Sequence, residues 1–298
     1  MTASREPANG GAGATRSGLA PGLYLVATPI GNLEDITLRA LRVLKEVDCI
    51  ACEDTRQTQK LLNHYGITTR TTSYHEHNER EKAAELVTEL QRGARIAVVT
   101  DAGMPGISDP GFRLTGLAIE RGVPVIPIPG ASAFLVGLVA SGLPTDSFRF
   151  NGFLPAKAGQ RRQAIESIRE SERTEVFYEA PHRIKESLQD VVELLGTSRP
   201  TVVARELTKL HEEFLRGPAG DVLATLNARD AVKGEITLII GRASQGEVDA
   251  EFPRTGIRER VRQIMTDEKL DEKAALKKIA KELGISKSEA YRELQRGK

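Results

Sequence analysis

From residue 22 onward, short apolar runs alternate with longer stretches whose apolar residues recur every three or four positions. Leu23-Tyr24-Leu25-Val26-Ala27, Cys49-Ile50-Ala51-Cys52, Ile96-Ala97-Val98-Val99 and the run from Val123 to Ile128 are short and bounded by polar, Gly or Pro residues, as buried strands are. A further strand is expected to end at Tyr74-His75-Glu76-His77-Asn78. Helical spacing covers 37–47 (Leu38, Leu41, Leu44), 56–64, 78–92, 110–121 and 131–141. Gly66 and Gly93 supply stop signals, and Asn78 and Ser108 or Asp109 stand where N-caps are expected. Strands alternating with helices at this interval predict an α/β domain over 22–150 with largely parallel pairing.

The rhythm pauses at the strand-like segment 148–153 and the connector 154–159, then resumes. Helices are expected over 160–170, 184–195 and 221–226, and strands over 175–178, 201–205, 212–216 and 235–240. Later strands separated by few residues imply antiparallel pairing in this second α/β domain, 151–241. A polar linker with Pro253 follows. Over 255–298, Leu276, Ile279, Ala280 and Leu283 form one stripe and Ala290, Tyr291 and Leu294 another, joined by Gly284-Ile285-Ser286. This reads as a helix-turn-helix-like module, or as a helical hairpin packing on the body or on a second subunit. Residues 1–21, rich in Gly, Ala and Ser, read as a disordered tail rather than a signal peptide. No internal repeat is visible, and no apolar run reaches the ~18 residues of a membrane span.

Composition changes this picture in one respect. The 298 residues carry a net charge of only +1, which excludes a uniformly basic nucleic-acid binder. The charge is unevenly distributed: residues 255–298 hold twelve Lys and Arg against eight Asp and Glu, whereas 22–254 is net −4. Engagement of a polyanion must therefore rest on local basic patches or on Lys277, Lys278, Lys281, Lys287, Arg292 and Arg296 of the C-terminal module. Aromatics are 4% of residues and Trp is absent, which argues against an extended base-stacking platform. Cys49 and Cys52, the only cysteines, fit a reducing compartment and buried strand positions better than a redox pair.

Candidate chemistry gathers at strand ends, where open α/β sheets bind ligands. The longest such loop is Thr100-Asp101-Ala102-Gly103-Met104-Pro105-Gly106-Ile107-Ser108-Asp109-Pro110-Gly111, with two acids and three glycines. Thr28-Pro29-Ile30-Gly31-Asn32 and Pro129-Gly130-Ala131-Ser132-Ala133 fall on the same edge. None carries the dinucleotide or P-loop glycine pattern. In Glu53-Asp54-Thr55-Arg56, Asp54 or Thr55 can cap the next helix, or the acids and Arg56 can face the cleft. His75 and His77 lack a third ligand at metal-binding spacing, so no metal is expected. Phe177-Tyr178-Glu179-Ala180-Pro181-His182-Arg183 and Arg205-Glu206-Leu207-Thr208-Lys209 end strands of the second domain.

PIGN at 29–32, EDTR at 53–56, TDAGMPGISDPG at 100–111, PGASA at 129–133, FYEAPHR at 177–183 and RELTK at 205–209 together resemble the ribosomal small subunit methyltransferase I family, within the tetrapyrrole-methylase-like superfamily. The resemblance is colinear over about residues 22 to 240. It implies two α/β domains with S-adenosylmethionine in the cleft between them, a homodimer in the cytoplasm, and 2′-O-methylation of a cytidine in the decoding region of 16S ribosomal RNA within the small subunit. On that resemblance, Pro29, Asp101, Ala102, Gly103, Gly106, Ile107, Ser132, Ala133, Tyr178 and Leu207 are the expected cofactor contacts, and Glu53, Arg56 and Asp101 the expected catalytic residues. A ribose hydroxyl is a weak nucleophile until its proton is removed, and Glu53, Asp54, Asp101, Glu179, His182 and Glu206 are the candidate bases. A methyltransferase for a tetrapyrrole or another small molecule would share the cleft, whereas a ligand-sensing DNA-binding regulator would not need its acids. Deleting 255–298 is expected to weaken binding to small ribosomal subunits more than binding of S-adenosylmethionine; unchanged subunit affinity in a paired titration would refute the role given to that module.

Overall fold

The computed structural model describes residues 18–108, 111–243, 264–265 and 271–282. The first sheet contains β1 (Gly22–Val26), β2 (Cys49–Cys52), β3 (Thr71–Ser73), β4 (Arg95–Val99) and β5 (Val125–Ile128), ordered β3-β2-β4-β1-β5. Every pairing in it is parallel. A parallel sheet needs cover on both faces, and the near-continuous apolar strands supply it. Tyr24, Val26, Ile50, Cys52, Ala97 and Val99 pack with residues of α1 (Leu38–Glu46) and α2 (Thr55–His64). Leu23, Ala51, Ile96 and Val98 pack with α3 (Glu79–Gln91) and α4 (Phe112–Glu120). Both cysteines are buried and free, and burial pushes both thiols above their usual range, so neither is a ready thiolate.

The second sheet is mixed. It contains β6 (Phe148–Phe153), β7 (Thr174–Glu179), β8 (Pro200–Arg205), β9 (Glu213–Pro218) and β10 (Ile236–Ile240), ordered β6-β7-β10-β8-β9. β6 runs parallel to β7, and the other pairs are antiparallel. The two-residue alternation of strands divides its core. Phe177, Val203, Ile236, Leu238 and Ile240 pack with α6 (Ala158–Glu166), α7 (Ile184–Leu195) and α8 (Ala219–Asn227). Val176, Val202 and Ile239 meet Leu138 of α5 (Ala133–Ser141). So α5, which follows the first sheet in sequence, covers the open face of the second, and both sheets share one compact unit ending at Arg242.

Several local expectations are corrected. Leu19 packs on the first core and Ala20 accepts a hydrogen bond from the Tyr24 hydroxyl at 2.6 Å, so the body begins before residue 22. Residues 1–17 of the expected tail lie outside the described residues. The Asn78 side chain does not cap α3: its amide oxygen accepts from the His75 N–H at 2.9 Å and its amide nitrogen donates to Ser73, closing the preceding turn instead. The residue preceding α4 is Gly111, not Ser108. Gly66 and Gly93 do take left-handed conformations where α2 and α3 stop. In the unit from Ala243, α9 (Glu272–Glu282) forms on the first C-terminal stripe; the Gly284 turn and the second stripe lie outside the described residues.

A charged clamp ties the site-facing edge of the second sheet together. Arg229, just beyond α8, donates to both carboxylate oxygens of Glu213 at 2.6 and 2.8 Å, and Arg205 donates to one of them at 3.0 Å. The Arg229 bonds hold the Glu213 carboxyl down to about 2, well below its ordinary 4.5. A carboxyl depressed on folding contributes stability fully above its unfolded value and loses it as pH falls toward the folded one. Glu213→Gln is therefore expected to destabilise by about 1–2 kcal/mol at neutral pH, given partial exposure. In chemical denaturation the gap between wild type and variant should close as pH falls from 4.5 toward 2.

Candidate active site

The loops after β1, β4 and β5 meet the ends of β6, β7 and β8 around a cavity of about 350 Å³. That is within the range of small-molecule sites. Of the expected cofactor contacts, Ala102, Gly103, Ile107, Ser132, Ala133, Tyr178 and Leu207 line it. Pro29, Asp101 and Gly106 do not; their neighbours Ile30 and Ala102 do.

The loops are joined by backbone bonding. Thr28 and Gly103 exchange N–H donations at 2.9 and 3.1 Å, and the Thr28 hydroxyl donates to the Thr100 carbonyl at 3.0 Å. Gly103 sits at φ 84°, a conformation glycine adopts freely. Ile30 packs with Ala204 and Leu207, and the Asn32 N–H donates to the Thr208 hydroxyl at 3.1 Å, so the first loop is fastened to 205–209. Gly31 is required there: a Cβ would lie 2.4 Å from Lys209 Cγ and 3.1 Å from the Leu207 carbonyl.

Three non-glycine residues bordering this region hold positive φ: Ser108 (60°), Glu206 (52°) and Thr208 (64°). Such conformations cost about 1–3 kcal/mol and persist only where surroundings enforce them. Glu206 is enforced by the Lys209 ammonium at 2.9 Å and the Glu235 N–H at 3.0 Å, and the lysine bond holds its carboxyl below the usual range.

The candidate carboxylates separate into two groups. Glu179 is buried, with its oxygens bonded to Arg183, the Ala180 N–H and the Ser187 hydroxyl, so it braces the 180–183 turn. Asp54 caps α2 through the Arg56 N–H at 2.8 Å, and the Arg56 guanidinium, 3.1 Å away, holds its carboxyl low. Arg56 is exposed and opens onto a polar recess with Lys60 and Gln59, apart from the cavity. Glu53 and Asp101 behave oppositely. Desolvation pushes both carboxyls up, and for Glu53 the Asp101 charge adds to the effect. Asp101 accepts from the Asp54 N–H at 3.3 Å, and Glu53 lines a second, more open cleft. His182 is exposed and outside the cavity wall.

The cavity also draws on residues not expected: Met104, Phe153, Ala180, Pro181, Ile236 and Thr237 among them. Ala180 and Pro181 follow a strand end, a signal the sequence carries. Phe153 and Thr237 arrive by pairing, since both are opposite Tyr178 in the neighbouring strands. Tyr178 also meets the rings of Phe150 and Phe153, with centroids 5.0 and 5.4 Å away. Among the described residues no group of His, Cys, Asp or Glu is arranged to hold a metal ion. Lys277 and Lys278 are exposed on α9, Lys281 falls on the same helix, and Lys287, Arg292 and Arg296 lie outside the described residues.

The model of the family described as Tetrapyrrole (Corrin/Porphyrin) Methylases matches residues 22–223. A Ribosomal RNA small subunit methyltransferase I of Halalkalibacterium halodurans is 48% identical over 275 residues, covering 90% of this chain and 93% of that relative. One of Escherichia coli O157:H7 is 48% identical over 236 residues, covering 78% and 82%. Among solved structures, a diphthine synthase superposes with a TM-score of 0.60 at 15% identity, covering 76% of this chain and 92% of that one. A uroporphyrin-III-C-methyltransferase from Thermus thermophilus reaches 0.52 at 19%, covering 74% and 94%. At such identities the superpositions speak for the fold alone.

If the junction at Gly31 shapes the cavity, Gly31→Ala should weaken S-adenosylmethionine binding about tenfold, equivalent to ~1.4 kcal/mol. Calorimetric titration checks this, and unaltered affinity would show that the 207–209 backbone tolerates the added methyl.

Proposed function

This chain belongs to the tetrapyrrole methylase family and, within it, to the ribosomal RNA small subunit methyltransferase I proteins, and from that premise we propose that it methylates the ribose 2′-hydroxyl of a cytidine in the decoding region of 16S ribosomal RNA. The observation that carries this reading is the 48% identity to a ribosomal RNA methyltransferase across 90% of the chain. The methyl donor is S-adenosylmethionine, which supplies an electrophilic methyl group on a positively charged sulfur.

The residues present suit that donor. Among the described residues no Lys or Arg lines the cavity, and its two lining carboxylates are Glu179 and Glu235. A cation is therefore unopposed there. Ile30, Ile107 and Leu207 give apolar wall against which a flat ring can lie, while backbone of 102–104 and the hydroxyls of Ser132 and Thr237 give polar contacts. Bracing by Glu179, Glu206 and the Thr28–Gly103 bonds fixes these walls before any ligand arrives, and pre-positioning of reactants is the main source of rate in an in-line displacement.

Two groups remain for the proton of the ribose hydroxyl. Glu53 and Asp101 are the candidate carboxylates with raised affinity for a proton, and a stronger base suits a weakly acidic hydroxyl. Glu53 takes the substrate side and Asp101, held by the Asp54 N–H, steadies the loop carrying Ala102 and Gly103. Arg56, on the open recess, and Lys277 and Lys278 of α9 are assigned to RNA phosphates rather than to chemistry, on their charge. Lys281, Lys287, Arg292 and Arg296 extend that basic set in sequence. The reading includes an enzyme of the cytoplasm acting as a homodimer on the small subunit. Among the described residues no helix is long and apolar enough to cross a membrane.

Incubation with methyl-labelled S-adenosylmethionine and, separately, small ribosomal subunits, total RNA, DNA and tetrapyrrole precursors tests the proposal. Label should enter an alkali-resistant dinucleotide of 16S RNA, because 2′-O-methylation blocks cleavage at that position. Label confined to a tetrapyrrole would assign the small-molecule reaction instead.

A further inference from the structure

The cavity accounts for a donor, but the acceptor needs its own seat within reach of it. A second cleft, about 690 Å³, lies against the first. Glu53 just after β2, Glu76 in the turn before α3, Glu79 at the start of α3, and Phe112 and Arg113 at the start of α4 bound it. Among the described residues Ser108 alone lines both cavities, so this residue stands at their common wall.

Phe112 is the unusual member of this cleft. Its residue surface is 84% exposed, and α4 already anchors itself through buried Leu114 and Ala118. Among the described residues the ring belongs to none of the hydrophobic clusters. An aromatic face held open in a cleft is what an unstacked nucleobase packs against. The charge of the cleft narrows the occupant further. Arg113 is paired with Glu79 at 2.9 Å, leaving Glu53, Glu76 and Glu120 as the excess, so a phosphate is disfavoured and a neutral base with an exocyclic amino donor is favoured.

We propose that this second cleft seats the base and ribose of the acceptor nucleotide, its phosphates remaining outside, with Phe112 stacked on the base and the Ser108 hydroxyl bonded to the ribose hydroxyl that receives the methyl group. The inference rests on the RNA-methylating reading above. As the ribose oxygen bonds to the methyl carbon, its proton passes to the Glu53 carboxylate, and the electron pair of the broken carbon–sulfur bond stays on sulfur.

The test is steady-state methyl transfer to small ribosomal subunits lacking the modification, with donor affinity measured in parallel by calorimetry. Phe112→Ala should raise the KM for subunits about 10- to 100-fold, the loss expected for one stacked base, with kcat and donor affinity little changed. Phe112→Trp should restore KM. Ser108→Gly, which keeps the positive φ and removes the hydroxyl, should lower kcat about tenfold with KM unchanged. An unchanged KM in Phe112→Ala, a parallel loss of donor affinity, or a shift in oligomeric state on size-exclusion chromatography would overturn the inference while leaving RNA methylation standing. If wild type transfers no label to RNA, the functional reading fails and the acceptor seat falls with it.

Discussion

Helix α5 leaves the first sheet and lies on the face of the second, and the rest of the site depends on that packing. Leu138 is buried against Val176, Val202 and Ile239, a burial that contributes about 1.5–3 kcal/mol. Gly137 lets the helix approach closely: a Cβ there would stand 3.3 Å from Thr237 Cγ2. The same contact builds the cavity, since Ser132 and Ala133 at the start of α5 and Thr237 beneath it all line it. A second junction, Ile30 with Ala204 and Leu207, closes the opposite wall. The cavity is a seam between two layers pinned on both sides, which explains how short loops can hold it open.

Electrostatics then divide labour among the carboxylates. Glu175, Glu179, Glu206 and Glu213 serve structure, each held by basic, hydroxyl, amide or backbone donors, and for Glu206 and Glu213 the Lys209 and Arg229 bonds hold the carboxyl below its usual range. Among the described residues Glu53 and Asp101 have no such partners apart from a single backbone N–H on Asp101, and desolvation raises their affinity for protons. The contrast arises from position. The first group sits where strands and turns of the second half converge, the second at the rim where β2 and β4 end side by side. One chain thus carries carboxylates tuned in opposite directions, a pattern typical of sites that move protons.

Much of this arrangement was legible in the chain. Apolar runs in 23–27, 49–52 and 96–99 could only be strands covered on both faces, and the polar, glycine-rich segments after them had to fall on one edge of a parallel sheet. The acidic-to-neutral balance of 22–254 already said that this body would not hold RNA by net charge. Local chemistry was less secure where one side chain had two possible partners. Asn78 could cap α3 or close the turn before it, and the nearby His75 and Ser73 groups won. Asp54 could face the cleft or cap α2, and the free N–H at the helix start won.

By itself the sequence determined the strands, the loops that border the central cavity, and the family to which the chain belongs, because these follow from local periodicity and colinear motifs. Tertiary structure alone decided that α5 crosses to the second sheet, that Phe153 and Thr237 meet at Tyr178, and that Ser108 stands between two cavities. Those outcomes depend on strand order and register. Register brings together residues dozens of positions apart, and periodicity within any one segment carries no record of which partner strand it will find.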